Sequence, residues 1–283
     1  MSKLLSANFL RLRKSKVFWI LTALMAAYGI YAPIGSYLDQ QRYLSWGVTE
    51  YTFSLDGIFF NYVVASGLLA AVFISLFFGT EYSDGAIRNK LAVGHPRWSV
   101  YLANLVTGVA AVWAFCAAYM LPTFLLGVIL LGFFTQPLSF ILLVLLGTLL
   151  LAAAFCAITT FIAMNCTRKA ATVVGCIFIV LTLMLAGSYI NERLSEPREY
   201  SSYELTSGDG ETLEKHMVPN PGYLEGTKRA AYEFLFDFLP GGQMIQYSGV
   251  KPTGPVRLPL YSLFVFVGIS AAGMAIFKKK DLK

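Results

Sequence analysis

Charged side chains are scarce in this sequence, and their scarcity limits the classes of protein it can encode. Only 13% of the residues are Asp, Glu, Lys or Arg, about half the 25% of an average globular domain. The charges are also unevenly spaced, because five runs contain none: 17–38, 57–80, 98–167, 170–191 and 258–277. A soluble fold would have to bury all five runs without a charged helix face, so we set that class aside.

The lengths of these runs predict membrane-spanning helices. A helix needs about 20 apolar residues to cross a bilayer, and four of the runs suit one crossing each. The run at 98–167 has 70 residues, enough for two crossings joined by a turn at Gln136-Pro137. We therefore predict an all-α integral membrane protein with six transmembrane helices. Their predicted ranges are 17–37, 57–78, 99–132, 139–165, 170–190 and 259–277.

The positions of the basic residues predict the orientation of these six helices. Lys and Arg collect in the short loops that face the cytoplasm. Fourteen of them fall in alternate connections and at both termini: Lys3, Arg11, Arg13, Lys14, Lys16, Arg88, Lys90, Arg97, Arg168, Lys169, Lys278, Lys279, Lys280 and Lys283. The other short connections contain only Arg42. We expect a protein of the bacterial cytoplasmic membrane with both termini on the cytoplasmic side. The bases would lie near anionic lipid, and we expect no nucleic-acid partner.

The segments outside the spans complete a single domain over residues 1–283. Residues 1–16 predict an interfacial helix with Leu5, Phe9 and Leu12 on one face, although a plain basic flank is also compatible with them. Residues 191–258 form a large extracellular loop that is rich in charge and proline. Its latter part predicts an amphipathic helix on the outer leaflet, which Pro240-Gly241-Gly242 would end.

The sequence contains none of the catalytic or metal-binding motifs that we considered. The two histidines, His95 and His216, fall on opposite sides of the predicted membrane and cannot share a site. The sequence has no HExxH, GxSxG, GxxxxGK[ST] or Cys-x-x-Cys motif. No acid or base lies within a predicted span, which disfavours a proton- or sodium-coupled transporter. We therefore expect a chain that is not an enzyme and has no catalytic, metal-binding or cofactor-binding residues.

The polar stretch at 79–98, between the second and third spans, is longer than the 4–6 residues typical of a connection. Its residues predict a short cytoplasmic helix, with Ile87 and Leu91 forming one apolar stripe. The end signals are Ser83 or Asp84 as N-cap, Gly94 and Pro96 as the stop, and Ser99 as N-cap of the next helix. A solvated loop that only reverses the chain remains the alternative.

The same stretch resembles a known family. GTEYSDGAIRNKL, followed by GHPRWSVYLANL, is similar to the loop that joins helices two and three in ABC transporter permeases of the type-2 exporter class. The six spans, the interfacial helix and the short outer helices resemble the layout of that family over the whole chain. The specific motif covers only about 79–105, and Ala86 stands where relatives often have Thr.

The resemblance implies a membrane subunit that pairs with a second permease chain and with two separate ATPase subunits. ATP and Mg²⁺ would be bound by those ATPases and not by this chain. The helix at 84–93 would be a coupling helix in a groove of the ATPase, and Glu81 a polar anchor near the membrane that pairs with Arg88 or with a residue of the ATPase. The implied coupling residues are Glu81, Tyr82, Asp84, Ile87, Arg88, Leu91, His95 and Arg97.

A second function class remains open from the sequence. The chain could be a membrane sensor or immunity scaffold that binds a peptide or lipid without transporting it. Its outer loop would then bind the ligand, and the same cytoplasmic helix would signal inward. Copurification of a nucleotide-hydrolysing subunit separates this class from an exporter.

Overall fold

The computed structural model describes residues 1–48, 53–206 and 212–280. Over these residues the chain forms eleven helices and one pair of strands. The helices are α1 (Ser2–Lys14), α2 (Lys16–Ser45), α3 (Leu55–Phe59), α4 (Tyr62–Ser83), α5 (Ala86–Ala92), α6 (Arg97–Leu131), α7 (Leu138–Asn165), α8 (Lys169–Ser195), α9 (Gly226–Phe238), α10 (Pro240–Ser248) and α11 (Arg257–Lys279). The strands are β1 (Glu199–Thr206) and β2 (Thr212–Pro219).

Six helical segments are long and apolar enough to cross a membrane, which confirms the predicted all-α membrane fold. They are α2, α3 with α4, α6, α7, α8 and α11. Several extend beyond the predicted spans: α2 ends at Ser45 rather than 37, and α8 at Ser195 rather than 190. Polar residues continue a helix as long as its backbone hydrogen bonds can form, so an apolar run marks the part inside lipid and not the helix end.

The bundle is built around α4 and α7. In their most apolar stretches 67% and 61% of the residues are buried, against 17–28% in the other four spans. The outer helices therefore present apolar side chains to the surroundings, as lipid-facing helices do. Small residues allow close packing at the centre. A Cβ on Gly67 of α4 would lie 3.3 Å from the ring of Phe155 of α7.

The two ends of the bundle differ in composition. We call the end that holds α1, α5, the α7–α8 link and the last turn of α11 the basic end. We call the opposite end, with α3, the α6–α7 turn, the β1–β2 hairpin, α9 and α10, the hairpin end. At this second end the side chain of Asp56 joins α3 to the α6–α7 turn. It accepts hydrogen bonds from the backbone N–H of Thr135 at 2.8 Å and from its hydroxyl at 2.7 Å.

The Pro-Gly-Gly run has a different role from the one predicted. It does end α9, but Pro240 is also the first residue of a further helix, α10, most of which is buried. The glycines allow this burial because backbones meet there. A Cβ on Gly241 would overlap the carbonyl oxygen of Leu183 in α8, and one on Gly242 would overlap that of Phe236.

The predicted extracellular loop is more regular than its composition suggested. Between α8 and α9, β1 and β2 pair antiparallel in a register that sets Glu199 opposite Pro219 and Tyr200 opposite Val218. Below the strands, Asn220 donates to Glu196 at 3.0 Å and to the carbonyl of Pro197 at 2.9 Å. The hairpin was not predicted, because its polar residues show no clear apolar alternation.

Candidate functional site

Glu81 lies at the centre of the candidate site, in the last turn of α4 at the basic end. Its side chain has no exposed surface. The carboxylate accepts from the guanidinium of Arg11 in α1, from Nζ of Lys90 in α5 at 2.6 Å, and from Nδ2 of Asn104 in α6 at 2.8 Å. The cations on Glu81 are therefore Arg11 and Lys90, and not the Arg88 considered from the sequence.

A second set of hydrogen bonds links the partners of Glu81 to each other. Asn8 Nδ2 donates to Asn104 Oδ1 at 2.7 Å, and Lys90 Nζ donates to Asn8 Oδ1 at 3.0 Å. We call Asn8, Arg11, Glu81, Lys90 and Asn104 the Glu81 cluster. Each of the helices α1, α4, α5 and α6 contributes at least one of its members, so the cluster joins four helices by buried polar contacts.

The electrostatics of the cluster make it sensitive to the loss of any member. Burying a carboxylate is costly unless it is paired and hydrogen-bonded, and Glu81 has two cations and an amide. Arg11 also packs over the ring of Phe77 at 3.8 Å, which covers its charge on one side. Removal of the carboxylate would leave Arg11 and Lys90 facing each other in a mostly buried site.

The short helix predicted in the polar stretch is present as α5, and its end follows the expected chemistry. Gly94 has a φ of 93°, its N–H donates to the carbonyl of Leu91 at 2.9 Å, and the N–H of His95 donates to that of Lys90 at 3.3 Å. These two bonds form a Schellman motif, for which glycine is the preferred residue. The discrete helix thus ends where the sequence indicated.

The predicted start of α5 was wrong. Gly85, with a φ of 68°, is the N-cap residue, and Ser83 instead donates to the carbonyl of Thr80 within α4. Asp84 is the C-cap of α4. Pro96, rather than Ser99, precedes the first residue of α6. Glycine is required at the turn between α4 and α5 because a positive φ strains residues that have a Cβ.

The residues of α5 divide between an inner and an outer face. Ile87 is 1% exposed and Leu91 is partly buried, and both pack into the core. The apolar stripe predicted from the sequence therefore faces the bundle. Asp84, Arg88 and Val93 are exposed, and Val93 is 79% exposed. We call the exposed residues Asp84, Arg88, Asn89, Ala92 and Val93 the α5 outer face.

The remaining predicted site residues lie around α5 and not on its outer face. The hydroxyl of Tyr82 donates to the carbonyl of Met164 at the end of α7. Arg97 donates to the carbonyl of Phe277 in α11 at 3.3 Å. His95 is half-buried and, with Lys3 of α1, borders a groove of about 300 Å³. The structure thus brings the eight predicted residues into one region but turns only some of them to solvent.

Sequence reasoning missed four members of the Glu81 cluster: Asn8, Arg11, Lys90 and Asn104. Two of them, Arg11 and Lys90, were interpreted only as bases that orient the helices. Asn104 offered a usable signal, because it is an amide side chain within a run of 70 uncharged residues. Such a residue must find a polar partner once it is buried.

In the described part of the chain, no three His, Cys, Asp or Glu side chains lie close enough together to hold a metal ion. Cys116, Cys156 and Cys176 are buried singly and Cys166 is half-buried. The polar chemistry at the basic end therefore consists of ion pairs and hydrogen bonds between helices, an arrangement suited to fixing helix positions.

Six membrane-spanning helices and a small helix fixed at one end of the bundle define a multi-pass membrane protein. Residues 4–187 match the family described as ABC-2 family transporter protein. This match covers more than half of the chain, and the chain belongs to that family. Comparison with curated proteins and with solved structures found no match. The family is one of membrane transporter components and agrees with the resemblance seen in the polar stretch.

Proposed function

We propose that this chain is the permease subunit of an ATP-driven exporter and that its partner ATPase binds the α5 outer face. The observation that supports this most is the Glu81 cluster, which fixes a seven-residue helix against three others while its outer face remains exposed. A connecting loop needs no such fixation. A helix that receives force from a partner does, because a flexible contact would absorb the movement.

The cluster suggests how the binding of a partner would affect the membrane helices. Lys90 of α5 contacts Glu81 of α4 and Asn8 of α1, while Ile87 packs into the core. A displacement of α5 would therefore displace α1, α4 and α6 together. In this proposal Glu81 holds α4 to α1, α5 and α6. It does not contact the ATPase, because its side chain has no exposed surface.

The proposal places the basic end in the cytoplasm of a bacterial cell, as the distribution of Lys and Arg indicates. Two ATPase subunits would bind ATP and Mg²⁺, and a second permease chain, identical or related, would complete the transport path. The sequence of this chain contains no P-loop, so ATP hydrolysis is assigned to the partner. The chain itself would not be an enzyme.

Affinity purification from native membranes tests the proposal. We expect the wild-type chain to copurify with a nucleotide-hydrolysing subunit. The double variant Arg88→Glu/Val93→Asp should lose that subunit, because both side chains lie on the α5 outer face. Lys279→Glu, a charge reversal at an exposed position on α11, should retain it.

Two results would contradict the proposal. One is a wild-type chain that purifies without any nucleotide-hydrolysing subunit, which would favour the membrane sensor. The other is a double variant that retains the subunit at the wild-type level while inserting normally into the membrane.

A further inference from the structure

At the basic end the last membrane helix, α11, is attached to α4, α6 and α7 by contacts that the sequence did not predict. Arg97, the first residue of α6, donates to the carbonyls of Phe277 and Lys280 at the end of α11. The carbonyls of a last helical turn have no partner within the helix and form the negative end of its dipole. The guanidinium of Arg97 donates to these carbonyls and places a positive charge at the negative end of the dipole, so it fixes this end of α11 to the start of α6.

Lys280 makes a second attachment at the same place. Its Nζ donates to the hydroxyl of Tyr82 at 3.2 Å and to the carbonyl of Met164 at 3.3 Å, and lies 4.6 Å from the centre of the Tyr82 ring. Burial lowers the pKa of Lys280, as expected for an ammonium group that has left water for these contacts. We call Arg97 and Lys280 the α11 latch.

The opposite end of α11 is attached to the helices of the hairpin end. Ser262 Oγ donates to Gln243 Oε1 of α10 at 2.5 Å, and both residues are buried. Arg257, the first residue of α11, pairs with the buried carboxylate of Asp237 in α9. That carboxylate also accepts from Nε2 of Gln246 in α10 at 3.0 Å. The helices α9, α10 and α11 thus share one polar network.

We propose that α11 transmits movement of α5, and of the helices that the Glu81 cluster joins to it, to α9 and α10 at the hairpin end, and that the α11 latch is required for this. The inference rests on the proposed function, since the ATPase would supply the movement. A helix of 23 residues is about 35 Å long and axially stiff. Because polar contacts fix both of its ends, a shift of the latch must either move the far end or break those contacts.

Nucleotide-dependent labelling of a cysteine at the hairpin end tests the inference. The reporter is Lys228→Cys, at an exposed position in α9, in a Cys166→Ser background that removes the half-buried thiol. The chain is reconstituted with its ATPase subunits in lipid nanodiscs. The labelling rate by a maleimide is then measured without nucleotide and after trapping with ATP and vanadate.

We expect trapping to change the labelling rate of the reporter by at least about fivefold when the latch is intact, the lower end of usual coupling between sites. Lys280→Gln and Arg97→Gln should each reduce that change to less than about twofold, and Arg97→Lys should restore part of it. Lys279→Gln, which neutralises the neighbouring exposed lysine, should leave the change intact. Lys280→Gln should still purify as a single species together with the ATPase subunits at the parent level, which excludes misfolding as the cause.

The possible outcomes separate this inference from the function on which it rests. Equal labelling changes in the parent and the latch variants would overturn the role of the latch. A parent complex that hydrolyses ATP but shows no labelling change at the reporter thiol would overturn transmission to α9 and leave the permease assignment standing. A chain that binds no ATPase would overturn the proposed function itself.

Discussion

At the scale of single residues, the side chain of Glu81 carries a negative charge without any exposed surface. It is a buried carboxylate in contact with two cations and an amide from three other helices. The family resemblance of the polar stretch singled out Glu81 as a polar anchor. It could not identify the partners, since Arg11 is 70 positions away and no local pattern links such distant residues.

The substitution Glu81→Ala is expected to destabilise the protein by about 3–5 kcal/mol, the usual cost of removing one partner from a buried ion pair. Arg11 and Lys90 would then lie close together without an anion. Glu81→Gln keeps an acceptor for Asn104 and should fall between Ala and wild type. Asp84→Ala, at an exposed position three residues on, serves as the control. Thermal unfolding in detergent gives the order, and an Ala variant as stable as the control would contradict the structural role of the cluster.

At the scale of helices and their contacts, the structure confirms part of what local chemistry predicted, whereas the predicted N-caps of α5 and α6 were wrong. Apolar runs located the six spans, and the glycine and proline of the polar stretch located the end of α5. Contacts between helices were not predictable in this way. The predicted face of α1, with Leu5, Phe9 and Leu12, is rotated in the structure, where Leu4, Asn8 and Leu12 are buried. Asn8 is buried because its side chain donates a hydrogen bond to Asn104, a residue of α6 that a local pattern in α1 cannot reveal.

The packing of α10 against α8 gives a test at this scale. Gly241→Ala would place a Cβ on top of the backbone oxygen of Leu183, and a backbone atom cannot move aside as a flexible side chain can. We expect a clear loss of thermal stability, or failure to purify as a single species, because α10 must separate from α8. Gly268→Ala, with no atom within 4 Å of its added Cβ, is the matched control. Equal stability of the two variants would show that α10 does not pack on α8 as described.

At the scale of the whole molecule, the distribution of bases divides the bundle into a basic end and a hairpin end. The apolar runs predicted six crossings and the bases predicted that both termini lie on one side, and the structure has six candidate spans with both ends of the described chain at the basic end. The hairpin escaped prediction because its polar residues show no clear apolar alternation, and α10 escaped it because its burial depends on contacts with the distant helices α7 and α8. The membrane fold could thus be inferred from composition. The hydrogen-bond networks at its two ends could not, because they join residues that are far apart in the sequence.

The orientation in the membrane is open to direct measurement. Intact cells that express the Lys228→Cys variant should be labelled by a membrane-impermeant maleimide, because α9 belongs to the hairpin end, whose short connections contain no base except Arg42. Asn89→Cys, at an exposed position of α5, should be labelled only after lysis. The reverse pattern would place the basic end outside the cell and would contradict the proposed docking of an ATPase on α5.

The central claim is that the α5 outer face binds the ATPase, and site-specific photo-crosslinking tests it most directly. A photoreactive amino acid at Val93, which is 79% exposed on that face, is activated in membranes that contain the assembled transporter. Trp113, exposed on the apolar surface of α6, provides the control position. The account predicts that Val93 forms an adduct with the nucleotide-hydrolysing subunit and that Trp113 does not. No such adduct from Val93, in membranes where the ATPase copurifies with the chain, would contradict it.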